Sequence, residues 1–350
     1  MNCDVFRELL IVSECRSRIR AASLSLLLVV VVGCTTEHPF APPPPPPPPP
    51  APPPATHPIV FSSRRDASAS PNNLEVLAVK PDGSDIVNLT RNAANDLEPS
   101  WSPDGQLITF TSDRNGNFDI YIMKNDGSEL RQLTFDTIDE RSPRWSPDGK
   151  KIIFESGRDG LLFSEFSRFR YLDIFVIDVD GSHLVNLTRT PSANEYGAAW
   201  SPDGKTIAFL RAGVILLVNS DGTNERPLHA AQAGFSDDAV AWSPDGKMLA
   251  YSTFNANHPP YTDTYVIFTV NADGSNIQRI TGLGYSSARF PSFSPDGTRI
   301  VYNRDGVDEW WGRFSTQNVY IMNVDGSGNI QITKDINGRN ELGGPQAWTK

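Results

Sequence analysis

The sequence predicts an all-β protein, a six-bladed β-propeller of four-stranded antiparallel blades whose ring is closed by the C-terminal strand joining the first blade. Three observations predict it. The pentapeptide Trp101-Ser102-Pro103-Asp104-Gly105 recurs at residues 145–149, 200–204 and 242–246, and again at 293–297 with Phe293 as its ring. The copies lie 44, 55, 42 and 51 residues apart, a period typical of solenoids, propellers and arrays. Short apolar-alternating runs follow each copy, and an Asp-Gly pair recurs at 82-83, 126-127, 180-181, 221-222, 273-274 and 325-326.

Each element has a local cause. In Ser-Pro-Asp-Gly, proline presets φ for a turn, aspartate tolerates the next position and glycine takes the left-handed one. The runs behind it, such as Leu107-Ile108-Thr109-Phe110 and Ile207-Ala208-Phe209, have the period of two that marks a strand. A further strand follows (Asp119-Ile120-Tyr121-Ile122-Met123 is the first full copy), then the Asp-Gly hairpin, then a short outer strand such as Arg131-Gln132-Leu133-Thr134. Six Asp-Gly hairpins against five Ser-Pro-Asp-Gly turns locate the closure. The first blade starts at Ile59-Val60-Phe61 without an inner strand, and Pro345-Gln346-Ala347-Trp348 at the C terminus resembles the missing one. Pairing them removes two exposed sheet edges.

Upstream of the repeats, residues 1–33 read as a secretory signal: Arg16, Arg18 and Arg20 precede a short apolar run over 24–32. That run ends at Val31-Val32-Gly33-Cys34, which resembles the lipobox of bacterial lipoproteins, with valine where leucine is commonest. The resemblance implies lipidation of Cys34, and Thr35 lacks the aspartate associated with inner-membrane retention, so the outer membrane facing the periplasm is the expected location. Cys3 and Cys15 leave with the signal, which leaves no intramolecular disulfide for the mature chain. Residues 34–56 form a proline-rich tether. Its run at 41–54 is an extended spacer of about 40 Å. Residues 57–350 are the propeller. A net charge of −10 argues against nucleic acid as a partner.

From residue 57 onward the repeats resemble the TolB-type propeller family, which carries this same aromatic-Ser-Pro-Asp-Gly turn. The resemblance implies the fold strongly and the function much less. TolB itself has an α/β domain ahead of its propeller and is a soluble periplasmic protein. An anchor and a stalk stand there in this chain, so the resemblance implies a TolB-like lipoprotein distinct from the Tol-Pal component.

Length variation is confined to one face, the one carrying the loops from second to third strand and those between blades, and the longest are of the first kind. Those loops carry Phe166 and Phe169, Tyr261, and Trp310, Trp311 and Phe314, so they are candidates for binding an envelope protein or peptide. The alternative is that these rings cover the blade tops. Five residues before the blade aromatic stand Asp96, Glu140, Glu195 and Asp237, then Ala288 and Gly343. Equivalent positions are expected to converge at the channel mouth. There, four carboxylates would suit a divalent cation such as Ca²⁺ or a partner's basic side chain. Otherwise each caps local turn backbone. No cofactor is required by any of these readings.

The residue before the aromatic is small (Ser100, Ala199, Ala241, Ser292, Ala347) except at Arg144. The chain has no Gly-x-Ser-x-Gly elbow, and its five histidines lack ligand spacing, so catalysis is not expected. Some propellers that resemble this one act on pectic oligosaccharides through a histidine-bound metal. A carbohydrate-binding or carbohydrate-cleaving propeller with a channel-mouth metal is therefore the competing reading. The propeller is expected to be monomeric.

Overall fold

The computed structural model describes residues 59–63, 73–160, 170–190, 192–230, 235–255, 264–282, 287–307, 314–333 and 347–348, all within the unit Ala51–Lys350. The first blade contains β1 (Ile59–Ser63), β2 (Glu75–Val79) and β3 (Val87–Asn88). Blade two contains β4 (Asp96–Trp101), β5 (Leu107–Ser112), β6 (Asp119–Lys124) and β7 (Arg131–Gln132). Blade three follows with β8 (Glu140–Trp145), β9 (Lys151–Ser156), β10 (Asp173–Asp178) and β11 (Val185–Asn186). Blade four has β12 (Glu195–Trp200), β13 (Thr206–Arg211), β14 (Val214–Asn219) and β15 (Arg226–Pro227). Blade five has β16 (Phe235–Trp242), β17 (Met248–Asn255), β18 (Thr264–Asn271) and β19 (Gln278–Arg279). Blade six has β20 (Ala288–Phe293), β21 (Arg299–Val307), β22 (Phe314–Asn323) and β23 (Ile330–Gln331). The last strand, β24 (Ala347–Trp348), pairs antiparallel with β1 and completes blade one, Ile59 opposite Trp348 and Val60 opposite Ala347. This is the closure the sequence predicts. Among the described residues no helix is long and apolar enough to cross a membrane.

Each Ser-Pro-Asp-Gly turn is held by its own side chains. Ser102 Oγ donates to Asp104 Oδ1 at 2.6 Å and accepts the Leu107 amide at 2.9 Å, while Asp104 Oδ1 also accepts the Gln106 amide. The same set returns at Ser146/Asp148, Ser201/Asp203, Ser243/Asp245 and Ser294/Asp296. The Asp-Gly turns are built alike, with Asp180 Oδ1 accepting from the Ser182 amide and hydroxyl. Residues 178–181 and 271–274 are therefore hairpin turns, as expected. Their glycines also touch the neighbouring blade. A Cβ on Gly274, at φ +84°, would lie 2.1 Å from the Leu228 carbonyl oxygen, and one on Gly83 would lie 2.4 Å from that of Ile332. The second contact joins blade one to blade six.

The core is divided among the six seams between blades. Alternating side chains of one strand serve opposite seams. Tyr121 and Met123 pack with Val60, Val76 and Trp101 toward blade one, whereas Ile120 and Ile122 pack with Trp145, Ile152 and Phe175 toward blade three. The seam between blades six and one is closed by Ile59, Phe61 and Leu77 against Val301, Val319 and Ile321. Each large side chain so buried contributes about 1.5–3 kcal/mol. No blade could bury both its faces alone.

Candidate functional site

The four acids are not grouped to hold a metal ion. Each is buried in an inner strand: Asp96, Glu140 and Glu195 open theirs and are each paired with an arginine, and Asp237 is the third residue of β16. Arg114 donates from Nη2 to Asp96 at 2.9 Å, Arg158 is paired with Glu140, and Arg211 donates to Glu195 at 2.6 Å. Each guanidinium also lies over blade aromatics: Arg114 over Tyr121, Arg158 over Phe175 and Arg211 over Phe209, at 4.7, 5.2 and 5.4 Å. Blade five uses a histidine instead. His229, from the end of blade four, lies 3.5 Å from Asp237 and packs at a tilt against Tyr251. Burial pushes the Asp237 carboxyl up, and the His229 charge opposes it. Among the described residues no three His, Cys, Asp or Glu side chains are placed to hold a metal ion. No metal grouping of the expected kind forms among these acids; each is met singly, and a buried carboxylate is far more stable beside a guanidinium than beside another carboxylate.

The loop candidates Phe166, Phe169, Tyr261, Trp310 and Trp311 lie outside the described residues, as does Cys34. Phe314 opens β22.

What the inner strands do bring together lies deeper in the channel. Each of β4, β8, β12, β16 and β20 shifts register against its partner through a bulge in mid-strand. At the bulge Glu98, Ser142 and Phe290 take φ +55°, and Gly197 takes +66°. Bulges re-aim side chains and free an amide from the ladder, and here the freed amides cross to the preceding blade. The Glu98 amide donates to Ser62 Oγ, the Ser142 amide to Glu98 Oε2 at 2.7 Å, and the Gly197 amide to Glu155 Oε1 at 2.7 Å.

The result is a cavity of about 400 Å³ on the channel. Its charged lining comprises Glu98, Arg144, Glu155, Asp238 and Arg289, set among tryptophan, tyrosine and phenylalanine rings. Arg289 grips Asp238 Oδ2 from Nε and Nη2 at 3.0 and 2.9 Å. Burial, then the charge of Glu98, pushes the Glu155 carboxyl up to about 7. Tyr196, which is partly buried and close to Asp238, is pushed up to about 12. Burial lowers the Arg144 guanidinium from its ordinary value, and Glu98 and Glu155 resist that. Arg144 was legible as the exception to a row of small residues. Glu98, Glu155, Asp238 and Arg289 carried no comparable mark. The arginine clamps did carry one, an arginine 18 residues after Asp96 and after Glu140 and 16 after Glu195.

The TolB beta propeller domain model matches residues 48–239, more than half of the sequence. The chain belongs to this family. An uncharacterized protein of Agrobacterium fabrum is 29% identical over 157 residues, which is 43% of this chain and 49% of that one. The chain therefore spans about half the length of the curated relative it matches. Among solved structures, TolB from Acinetobacter baumannii superposes with a TM-score of 0.64 at 21% identity, covering 85% of this chain and 68% of that one. The putative TolB from Agrobacterium tumefaciens gives 0.59 at 18%, covering 83% and 91%. An oligogalacturonate lyase from Vibrio parahaemolyticus gives 0.53 at 17%, covering 78% and 73%. At these identities the likeness is one of fold.

Proposed function

We propose that this TolB-like chain is a lipid-anchored cell-envelope scaffold, without catalytic activity, that binds a protein or peptide through the loop-rich end of its propeller. The supporting observation is the division of labour within the ring. Three of the four buried acids are committed to structural pairs inside their own blades, with Arg114, Arg158 and Arg211. The variable, aromatic-rich loops are carried on that rigid frame, and long loops on a rigid scaffold are where binding concentrates. The leader, Cys34 and the proline tether supply an anchor and a stalk suited to presenting the ring from the outer membrane into the periplasm.

The test is capture from native envelope extract with residues 57–350 as bait, with and without calcium. A control bait carries Trp310→Ala and Trp311→Ala. A protein retained by the first bait and lost from the second supports the reading. An empty lane with both would defeat it, and binding that requires calcium and is competed by oligosaccharide would favour the carbohydrate alternative.

A further inference from the structure

We propose that Arg144 is an anion-binding residue of the channel and that the cavity around it takes the carboxylate of a ligand. The inference goes beyond the scaffold reading and does not depend on it.

Arg144 is in the wrong place for a structural arginine. Its equivalents in other inner strands are Ser100, Ala199, Ala241 and Ser292, because strands that converge on the axis leave little room. An arginine there has nowhere to go but the channel. Among the described residues its hydrogen bonds run from one nitrogen: Nη1 donates to the carbonyls of Pro143 at 2.7 Å and Glu98 at 3.4 Å. Arg114, Arg158, Arg211 and Arg289 each hold a carboxylate oxygen at 2.9 Å or less. Among the described residues, Arg144 has no such ion pair. The two acids whose charge it feels make their hydrogen bonds to other groups, Glu98 Oε2 to the Ser142 amide and the Thr111 hydroxyl, Glu155 Oε1 to the Gly197 amide.

A partly buried guanidinium whose remaining N–H donors face a cavity of about 400 Å³ is placed to receive an anion there. The neighbours select which anion. Glu98 and Glu155 flank the guanidinium, so a dianionic phosphate would meet two like charges. A singly charged carboxylate matches one guanidinium fork and is tolerated better. The aromatic wall gives its apolar remainder a place to pack.

Charge on the wall makes binding proton-linked. Glu155 faces Glu98 from β4, Arg144 and Ser142 from β8, and Tyr196 and the Gly197 amide from β12. Farther round the cavity Asp238 and Arg289 neutralise each other. A bound carboxylate adds negative charge beside Glu155, which then holds its proton more tightly. Affinity should rise as the pH falls from 8 to 6, by about fivefold if binding raises the Glu155 value by one unit.

Titration calorimetry on the full chain would use two probes: butyrate as a free monocarboxylic acid, and pentaalanine with a free C-terminal carboxylate, with its C-terminal amide as the control. Binding of either acid, absent for the amide, at least tenfold weaker in Arg144→Ala and intermediate in Arg144→Lys, supports the site. The probe that binds tells a free acid from a chain-borne one. The pH dependence should vanish in Glu155→Gln. Arg144→Ala should fold with an unchanged or higher melting temperature, since alanine is what blades four and five carry there. No binding of either acid at millimolar concentration, equal binding by Arg144→Ala, or a markedly lower melting temperature in that variant would overturn the proposal.

Discussion

Replacing Glu155 by glutamine tests whether this carboxyl is held in the folded ring at the expense of stability. Glu155 is 6% exposed, and burial together with Glu98 moves it from 4.5 to about 7. Between those values the folded chain keeps a proton that the unfolded chain has released. Stability from this group is therefore present at low pH and is lost as the pH rises through 7. A displacement from 4.5 to about 7 corresponds to about 3 kcal/mol, an upper bound. Glutamine is uncharged, and its carbonyl can still accept the Gly197 amide.

Urea unfolding of the native chain and of Glu155→Gln, measured from pH 4.5 to 8, reads this directly. The two should be nearly equally stable at the acid end. By pH 8 the variant should be more stable, by up to about 3 kcal/mol, or on the order of 5–10 °C in melting temperature. Asp119, pushed up to about 6 by burial, and Glu75, Glu195 and Asp237, also raised, give the native chain a slope of the same sign. They are common to both proteins and cancel in the difference. A difference that is constant with pH, or a variant less stable at pH 8, would refute the reasoning.

Arg211→Ala should cost about 3–5 kcal/mol in chemical denaturation, because it leaves the fully buried Glu195 without its cation. Gly274→Ala should destabilise by more than about 2 kcal/mol, since φ is +84° and its Cβ would meet a backbone oxygen that cannot swing away. Melting of that variant checks it, with Gly116→Ala, where nothing lies within 4 Å, as the milder control. Asp148→Ala should cost about 1 kcal/mol by removing the acceptor for Ser146 Oγ and the Lys150 amide. The turn aspartates Asp148, Asp203 and Asp245 are held below the ordinary carboxylate range by these hydrogen bonds, so what they add is lost as the pH falls below about 4. Mass spectrometry of membrane-extracted protein should find Cys34 lipidated at the mature N terminus; an intact leader with an unmodified cysteine would exclude the anchor.

Sequence by itself determined the blades. Strand, turn and hairpin are decided within a few residues, by proline's φ, glycine's left-handed conformation and Ser and Asp side chains that bond their own backbone, so each repeat could be read without its neighbours. Even the closure was legible, because an inner strand missing at Ile59 and one left over at Trp348 can only belong together. The site was different. Asp96, Glu140, Glu195 and Asp237 were visible as a set, yet local order does not say which way a side chain leaves a bulged strand or what it meets there. The clamps on three of them by Arg114, Arg158 and Arg211 lie inside single blades, whereas only the assembled ring decided that His229, from the preceding blade, would meet the fourth. It also decided that Glu98, Arg144 and Glu155 would share one cavity. Contacts inside a blade are set by short-range chemistry, whereas the channel wall is set by long-range geometry, the angle at which six separately legible blades meet around an axis.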